Sequence, residues 1–190
     1  MSELYEYGIM QEKSDARAHV CPVVQRIYVF DTEAARKAIR EGNHPIRDAS
    51  QDGIDGRTAT GWLVPVSNIP GIVSLRVREC TWQALDFSPQ HSPSHKGREA
   101  VRLVTAMIKR GCFPFPAYAD STVDLSTEID GTDIIASTPS QDRHIQVKCD
   151  RRGGRKELGG TGNLFLQKAE RNPLDRHEGE QRVGGNDLFG

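Results

Sequence analysis

Three polar side chains in the C-terminal half have the types and spacing of a metal-dependent hydrolytic site. Asp133 precedes the apolar pair of a predicted strand, and Gln146 and Lys148 lie two residues apart in the segment HIQVKC. Alternate side chains of a strand share one face, so Gln146 and Lys148 point together while the residues beside them point into the core. A carboxylate, an amide oxygen and an ammonium on one face favour Mg²⁺ binding beside a phosphate.

A β-hairpin is the element that must bring these side chains together. Two predicted strands, Thr132–Ser137 and His144–Cys149, are separated by the turn-forming segment Thr138–Arg143. A hairpin that is symmetric about this turn places Asp133 opposite Lys148, and directly opposed side chains share a face. We therefore expect Asp133, Gln146 and Lys148 to cluster. If Asp133 and Lys148 were more than about 8 Å apart, the chain would be an unrelated α/β protein with a chance match.

The pattern resembles the PD-(D/E)xK nuclease superfamily over roughly residues 92–170. In that family an Asp opens the second core strand and the next strand carries (D/E/Q)-x-K. Asp133 and Gln146-Val147-Lys148 match these positions. The family often has a Glu on the first core helix, and Glu99 in KGREA is similar to it. The order of helix, link, Asp strand and x-K strand is also the same.

The resemblance implies the roles of the site residues. Asp133, Gln146 and Glu99 would place Mg²⁺, with Mn²⁺ as the alternative metal, and Lys148 would act on the attacking water or on the scissile phosphate. Gln146 stands where a carboxylate is commoner in the family, which weakens metal binding unless Glu99 or Asp130 supplies another negative charge. We favour Asp133 over Asp130 as the main ligand, because Asp130 is followed by glycine and is typical of a turn.

A basic, glycine-rich segment follows the predicted x-K strand. It spans Asp150–Gly162, and its cations suit sequence-independent phosphate contacts. Together with a lysine on the next predicted strand, the candidate DNA-binding residues are Arg151, Arg152, Arg155, Lys156 and Lys168.

The coarse pattern of elements predicts an α/β fold. We expect a mixed central β-sheet flanked by helices, as in restriction endonucleases, with an N-terminal α/β accessory lobe. The predicted units are residues 1–90 as a substrate-recognition lobe, 91–176 as the nuclease core and 177–190 as a flexible tail. The other predicted elements are a loose terminus over the first dozen or so residues, a strand at Val23–Phe30, helices at 31–41 and Lys96–Arg110, strands at Trp62–Val66 and Ile72–Val77, and a strand at Leu164–Ala169.

The overall charge conceals two opposed segments. The formal net charge is −1, which by itself gives no indication of a nucleic-acid partner. Residues 111–142, however, contain six carboxylates and no Lys or Arg, whereas residues 143–176 contain nine Lys and Arg against four carboxylates. An acidic block before a basic one is what a metal site beside a phosphate-binding segment looks like in sequence.

Cysteine usage and apolar runs predict the compartment. The four cysteines form no CxxC pair, and the first residues contain no apolar signal core. No apolar run approaches the roughly 20 residues that span a bilayer. We therefore expect reduced thiols, no membrane contact and a cytoplasmic protein.

Two further partners besides DNA are suggested. Cleavage of both strands of a duplex would favour a homodimer with two sites. The residues Asp187, Leu188 and Phe189 resemble the last three positions of the pentapeptide that binds bacterial sliding clamps, although the two residues before them do not match its start.

These patterns together predict a metal-dependent endonuclease that hydrolyses DNA phosphodiester bonds, of a restriction, repair or junction-resolving type. The alternative is a catalytically inactive nuclease-fold protein that acts as a DNA-binding or accessory module, and Gln146 is the feature that favours it.

Overall fold

A computed structural model describes residues 9–48, 59–76, 85, 87, 92–118, 121–126, 132–149 and 163–170. Two α-helices and nine strands lie in these ranges: β1 (Ala16–Cys21), β2 (Arg26–Asp31), α1 (Thr32–Glu41), β3 (Ile46–Asp48), β4 (Ala59–Pro65), β5 (Val73–Arg76), α2 (Pro93–Lys109), β6 (Thr122–Leu125), β7 (Ile134–Ser137), β8 (Asp142–Cys149) and β9 (Asn163–Glu170). Neither of these helices is long and apolar enough to cross a membrane.

The strands form two sheets, and the larger one is mixed. Its order is β5-β2-β1-β8-β7-β6. β1 and β8 are parallel, and the other neighbours are antiparallel. The second sheet has the order β3-β4-β9 and is antiparallel. The predicted α/β class with a mixed sheet is therefore observed. Each sheet contains strands from before and after residue 90, where the sequence predicts the boundary between the N-terminal lobe and the nuclease core.

The two faces of the six-stranded sheet are covered by different elements. On the first face, Ala18 of β1 and Ile145 of β8 pack with Ala100, Leu103 and Val104 of α2 in one apolar cluster. On the second face, residues of β2 and α1 pack with β4 and β9 in another cluster, which includes Phe30, Ala35, Val64 and Leu166. The alternation of side chains along β1 and β8 decides which of their residues meet which cluster.

Both helices begin at capping residues. The Asp31 side chain accepts a hydrogen bond from the Ala34 amide (2.8 Å), and this N-cap fixes the start of α1 where the sequence predicts it. α2 begins at Pro93, three residues before its predicted start. Ser92 accepts a hydrogen bond from the His95 amide (3.2 Å), and a proline at the first helical position leaves no donor unsatisfied.

The register of the β7–β8 hairpin differs from the predicted one. The turn is tighter, because the Thr138 amide donates to the Gln141 carbonyl (3.0 Å) and the Thr138 hydroxyl also bonds Gln141. β8 therefore begins at Asp142, opposite Ser137. This shifts the pairing by two residues, which keeps every side chain on its predicted face but changes its partner. The prediction that Asp133 lies opposite Lys148 is wrong.

Strand β1 was not predicted, and of the first dozen residues, which the sequence predicts to be a loose terminus, only 9–12 lie in the described part of the chain. Six consecutive residues from Ala16 to Cys21 form a buried strand at the middle of the larger sheet. The strand predicted at Val23–Phe30 begins later, at Arg26, after a short 3-10 helix at Pro22–Val24. Strand β6 was also not predicted. It lies at one edge of the sheet beside β7.

Candidate active site

Two rows of polar side chains lie on the second face of the larger sheet. Arg17 of β1 pairs with Gln146 of β8, and His19 pairs with Lys148 one step further along. The residues between them belong to the apolar cluster of the first face, so these four point the other way. Continuing the β7–β8 pairing by one residue brings Asp133 beside Gln146. The structure thus places Asp133, Gln146 and Lys148 on one face.

Asp133 is held by donors of β8. Its Oδ2 atom accepts hydrogen bonds from Gln146 Nε2 (2.6 Å) and from the Val147 amide (2.7 Å). Burial raises the pKa of the Asp133 carboxyl above its ordinary value, against the opposing effects of the Val147 hydrogen bond and the Lys148 charge. The carboxylate is therefore fixed in orientation and lies within electrostatic reach of Lys148.

Gln146 has one satisfied and one unsatisfied end. Its side chain is 5% exposed, and its Nε2 atom donates to Asp133. Its Oε1 atom is buried and has no hydrogen-bond partner among the described residues. Leaving a buried acceptor unpaired costs on the order of 1–3 kcal/mol, so such an atom is normally satisfied by a water, an ion or a ligand.

His19 is a buried histidine that the sequence does not single out. Its side chain is 1% exposed and its ring lies 5.3 Å from that of Phe30. Within the described part of the chain, neither ring nitrogen has a hydrogen-bond partner. Burial, with the positive charges of Arg17 and Lys148, lowers the pKa of His19 well below its ordinary value, so the imidazole is neutral.

Arg17, which lies on the same face, forms a buried ion pair with Glu12. Arg17 Nε donates to Glu12 Oε1 (2.5 Å), a second guanidinium nitrogen pairs with Glu12 Oε2, and Ser14 donates to Glu12 Oε1 (2.6 Å). The segment Ile9–Asp15 is also fastened by Arg36, which donates to the carbonyls of Ile9 and Glu12. The positive charge of Arg17 is thus neutralised inside the protein.

The sequence gives one signal for Arg17 and His19 that the prediction did not use. In the segment ARAHVC, the polar residues Arg17 and His19 alternate with small or apolar ones, which is the period of a strand. The contact of this strand with β8 links residues about 130 positions apart, and periodicity carries no information about such pairing.

Glu99 lies on α2, which packs on the first face of the sheet. Its side chain is 13% exposed and its carboxylate lies 3.6 Å from Arg102, one helical turn further on. Gln146 and Lys148 are on the second face. The structure therefore brings together three of the four predicted site residues and places the helix that bears Glu99 across the sheet from Gln146 and Lys148.

Several predicted residues lie outside the described part of the chain. These are Asp130, the basic residues Arg151, Arg152, Arg155 and Lys156, and the tail residues Asp187, Leu188 and Phe189. Lys168 lies on β9, for which the backbone is described at that position. The predicted basic segment begins two residues after Lys148, so its start is tied to the end of β8 by the chain itself.

The oxygens of this face suit a cation that takes few protein ligands. No group of three His, Cys, Asp or Glu side chains among the described residues has metal-site geometry. Asp133 and the unpaired Gln146 Oε1 are a carboxylate and a neutral oxygen, and Mg²⁺ is commonly bound by one or two carboxylates plus waters and substrate phosphates. The orphaned Gln146 oxygen is the observation that fits a metal.

Comparison with protein-family models, with curated proteins and with solved structures gives no significant match.

Proposed function

We propose that the protein is a metal-dependent endonuclease that hydrolyses DNA phosphodiester bonds at the Asp133–Gln146–Lys148 face. The observation that carries the proposal is the hydrogen bond between Asp133 and Gln146 (2.6 Å), with Lys148 two residues along the same face. The element order supports it, since α2, β6, β7 and β8 follow each other as a helix and a three-stranded antiparallel meander. Asp133 lies at the start of the second strand of this meander, as in the PD-(D/E)xK pattern.

In this proposal each residue has one task. The Asp133 carboxylate and Gln146 Oε1 hold Mg²⁺ or Mn²⁺, which when bound supplies neutralisation of the phosphate charge. The Lys148 ammonium orients the attacking water or stabilises the charge that develops on the phosphate. The hydrogen bonds from Val147 and Gln146 hold the Asp133 carboxylate in place.

The substrate has to complete the site. Asp133 and Gln146 together contribute one negative charge, so they bind a divalent cation weakly in the absence of a phosphate. Arg151, Arg152, Arg155, Lys156 and Lys168 are the proposed phosphate contacts that hold the DNA backbone near Lys148. DNA affinity should therefore decrease with salt, whereas cleavage should depend on the metal.

The test is cleavage of plasmid, nicked and branched DNA with Mg²⁺, Mn²⁺ or EDTA. We expect Lys148→Ala to reduce the cleavage rate at least about 100-fold, as for the loss of one charge-stabilising donor, and Asp133→Asn to do the same. Lys37→Ala is the matched control, because Lys37 is an exposed lysine on α1 that pairs with Glu41. Glu99→Gln should leave cleavage nearly unchanged, because the helix that bears Glu99 packs on the opposite face of the sheet. Cleavage that survives either Lys148→Ala or Asp133→Asn would overturn the assignment.

A second candidate is a nuclease-fold protein that binds DNA without cleaving it. It is favoured by the two protein donors that already occupy Asp133 Oδ2, which is what a purely structural aspartate would show. Such a protein would bind DNA equally well in EDTA and in Mg²⁺ and would leave every substrate intact.

A further inference from the structure

We propose that His19 is a nitrogen ligand of a divalent-cation site that it shares with Gln146 Oε1, and that this site therefore prefers Mn²⁺ to Mg²⁺. The inference rests on the proposed function only for the place of the metal. It adds a ligand from β1 that lies outside the D…(D/E/Q)xK pattern, and it names the class of metal.

The sheet register makes His19 and Gln146 neighbours. Gln146 is paired with Arg17 and Lys148 is paired with His19 across the parallel strands, so His19 and Gln146 are diagonal to one another on the same face. With about 4.8 Å between strands and a two-residue step along them, their Cα atoms are roughly 8 Å apart. Two long polar side chains at that spacing can reach one ion between them.

Three buried polar atoms of this diagonal pair need a partner. Nδ1 and Nε2 of His19 and Oε1 of Gln146 have no hydrogen-bond partner among the described residues, although the two side chains are only 1% and 5% exposed. Buried polar groups are normally satisfied by protein, water or an ion. The imidazole nitrogens and the amide oxygen are buried on the same face of the sheet, and the Asp133 carboxylate is bonded to the other end of the Gln146 amide, so these groups supply the donor types of a metal-ligand set.

The chemistry of the donors sets the preference. Mg²⁺ prefers oxygen ligands, whereas a neutral imidazole suits transition metals, among which Mn²⁺ also accepts carboxylate and amide oxygens. Arg17 and Lys148 are the cations that act on His19, and the carboxylates of Glu12 and Asp133 balance their two charges, so the net charge of these four groups before a metal binds is zero. With only one His and one Asp, the site falls short of three such ligands among the described residues, and waters or phosphate complete it.

The experiment is Mn²⁺ binding to the full-length protein in the absence of DNA. Electron spin echo modulation of bound Mn²⁺ detects a coordinating imidazole through its ¹⁴N coupling. We expect one bound Mn²⁺ with this coupling and at least about tenfold weaker binding of Mg²⁺ in competition. His19→Gln should remove the coupling and weaken Mn²⁺ binding at least about tenfold, a loss no smaller than that caused by removing an outer-shell partner of a ligand. His144→Gln is the matched control, since His144 lies on β8, the strand of Gln146, and its Nδ1 atom bonds Thr132 (3.4 Å).

Because His19 is buried, a second measurement uses the unmodified protein. With ¹⁵N-labelled histidine, Mn²⁺ should broaden the imidazole signals of His19 beyond detection before those of His44, which bonds the Ala38 carbonyl at the far end of α1. The inference is overturned if no Mn²⁺ binds, if the ¹⁴N coupling survives His19→Gln, or if His19 broadens no earlier than His44. If Mn²⁺ binds through His19 but no DNA is cleaved, the proposed nuclease activity is overturned and the His19 site is retained. If DNA is cleaved with Mg²⁺ but no ¹⁴N coupling from His19 is found, the His19 site is overturned and the nuclease activity is retained.

Discussion

At the scale of single residues, Gln146 is the position where the proposed metal binding and the stability of the metal-free protein would oppose each other. Its amide nitrogen donates to Asp133 Oδ2 at 2.6 Å. Replacing it by glutamate would set two carboxylates against each other at that distance, and the pair would need a cation or a proton. The amide of the natural residue therefore stabilises the metal-free protein, and the missing carboxylate would lower its affinity for the proposed metal.

Gln146→Glu should thus make stability depend on metal. In EDTA at pH 7.5 we expect the variant to lose about 1–3 kcal/mol of unfolding free energy, which corresponds to a decrease in Tm of several degrees for a chain of this size. Millimolar Mg²⁺ or Mn²⁺ should recover most of the loss and raise the Tm of the wild type less. Gln141→Glu, at an exposed turn position of the same hairpin, is the control. Equal Tm values for Gln146→Glu with and without metal would contradict a cation site here.

Part of the site could be read from the sequence at this scale, and part could not. The period of a strand places Gln146 and Lys148 together on one face whatever the register, and a two-residue shift leaves Asp133 on that face as well. His19 and the Glu12–Arg17 pair reach the site through the parallel contact of β1 with β8. That contact is decided by packing of the whole sheet, so local patterns in the sequence do not reveal it.

At the scale of elements, local signals predicted the helices and missed the central strand. α1 has a capping aspartate and α2 has an apolar side, and both were predicted to within three residues of their observed bounds. β1 contains Ala, Arg and His, which have little strand propensity, and it is a strand because β2 and β8 pair with both of its edges. Tertiary pairing overrides propensity there.

The hairpin register is the prediction that belongs to this scale. Ser137 and Asp142 face each other in the β7–β8 ladder, next to the hydrogen-bonded pair at the turn. Opposed residues that exchange no backbone hydrogen bonds have Cα atoms about 4.5 Å apart, which is within the range of a disulfide. We expect Ser137→Cys with Asp142→Cys to form an intramolecular disulfide under mild oxidation, as mapped by mass spectrometry of peptides.

The companion pair Ser137→Cys with His144→Cys tests the register that symmetry about a longer turn would give. In the observed ladder His144 pairs with Ile135 and not with Ser137, so the two cysteines at positions 137 and 144 should stay reduced under the same conditions. A disulfide in the second variant and none in the first would show that Asp133 aligns with Lys148 after all, and would remove the hydrogen-bonded Asp133–Gln146 arrangement on which the site is built.

At the scale of the whole molecule, the N-terminal segment of the described chain is held by β1, α1 and β8. The N-terminal segment Ile9–Asp15 is bound to the sheet by Arg17 and to α1 by Arg36, and the Asp15 carboxylate accepts the His144 amide of β8 (2.7 Å). Glu12 is buried with its partner, and an ion pair of this kind is costly to break because the remaining charge is left unpaired. Stability and site geometry are therefore coupled through β1.

The pH dependence of stability follows from the same burial. In the unfolded chain His19 takes up a proton near pH 6.5, whereas the folded protein keeps it neutral because its pKa is well below that value. Below pH 6.5 the unfolded state binds more protons at this residue, so its contribution lowers stability as the pH falls. Asp133 has the opposite sign, since its raised folded pKa makes the folded state bind the extra proton at more acidic pH.

The difference between wild type and His19→Gln isolates the histidine, because all other groups cancel to first order. In EDTA, lowering the pH from 6.5 to 5.5 should cost the wild type about 1 kcal/mol more than the variant, or roughly 2–4 °C in Tm by calorimetry. His44→Gln, which changes a partly exposed histidine, should follow the wild type. Parallel curves for wild type and His19→Gln would mean that His19 protonates in the folded protein, and a charged imidazole at that position would also bar a cation from the site beside it.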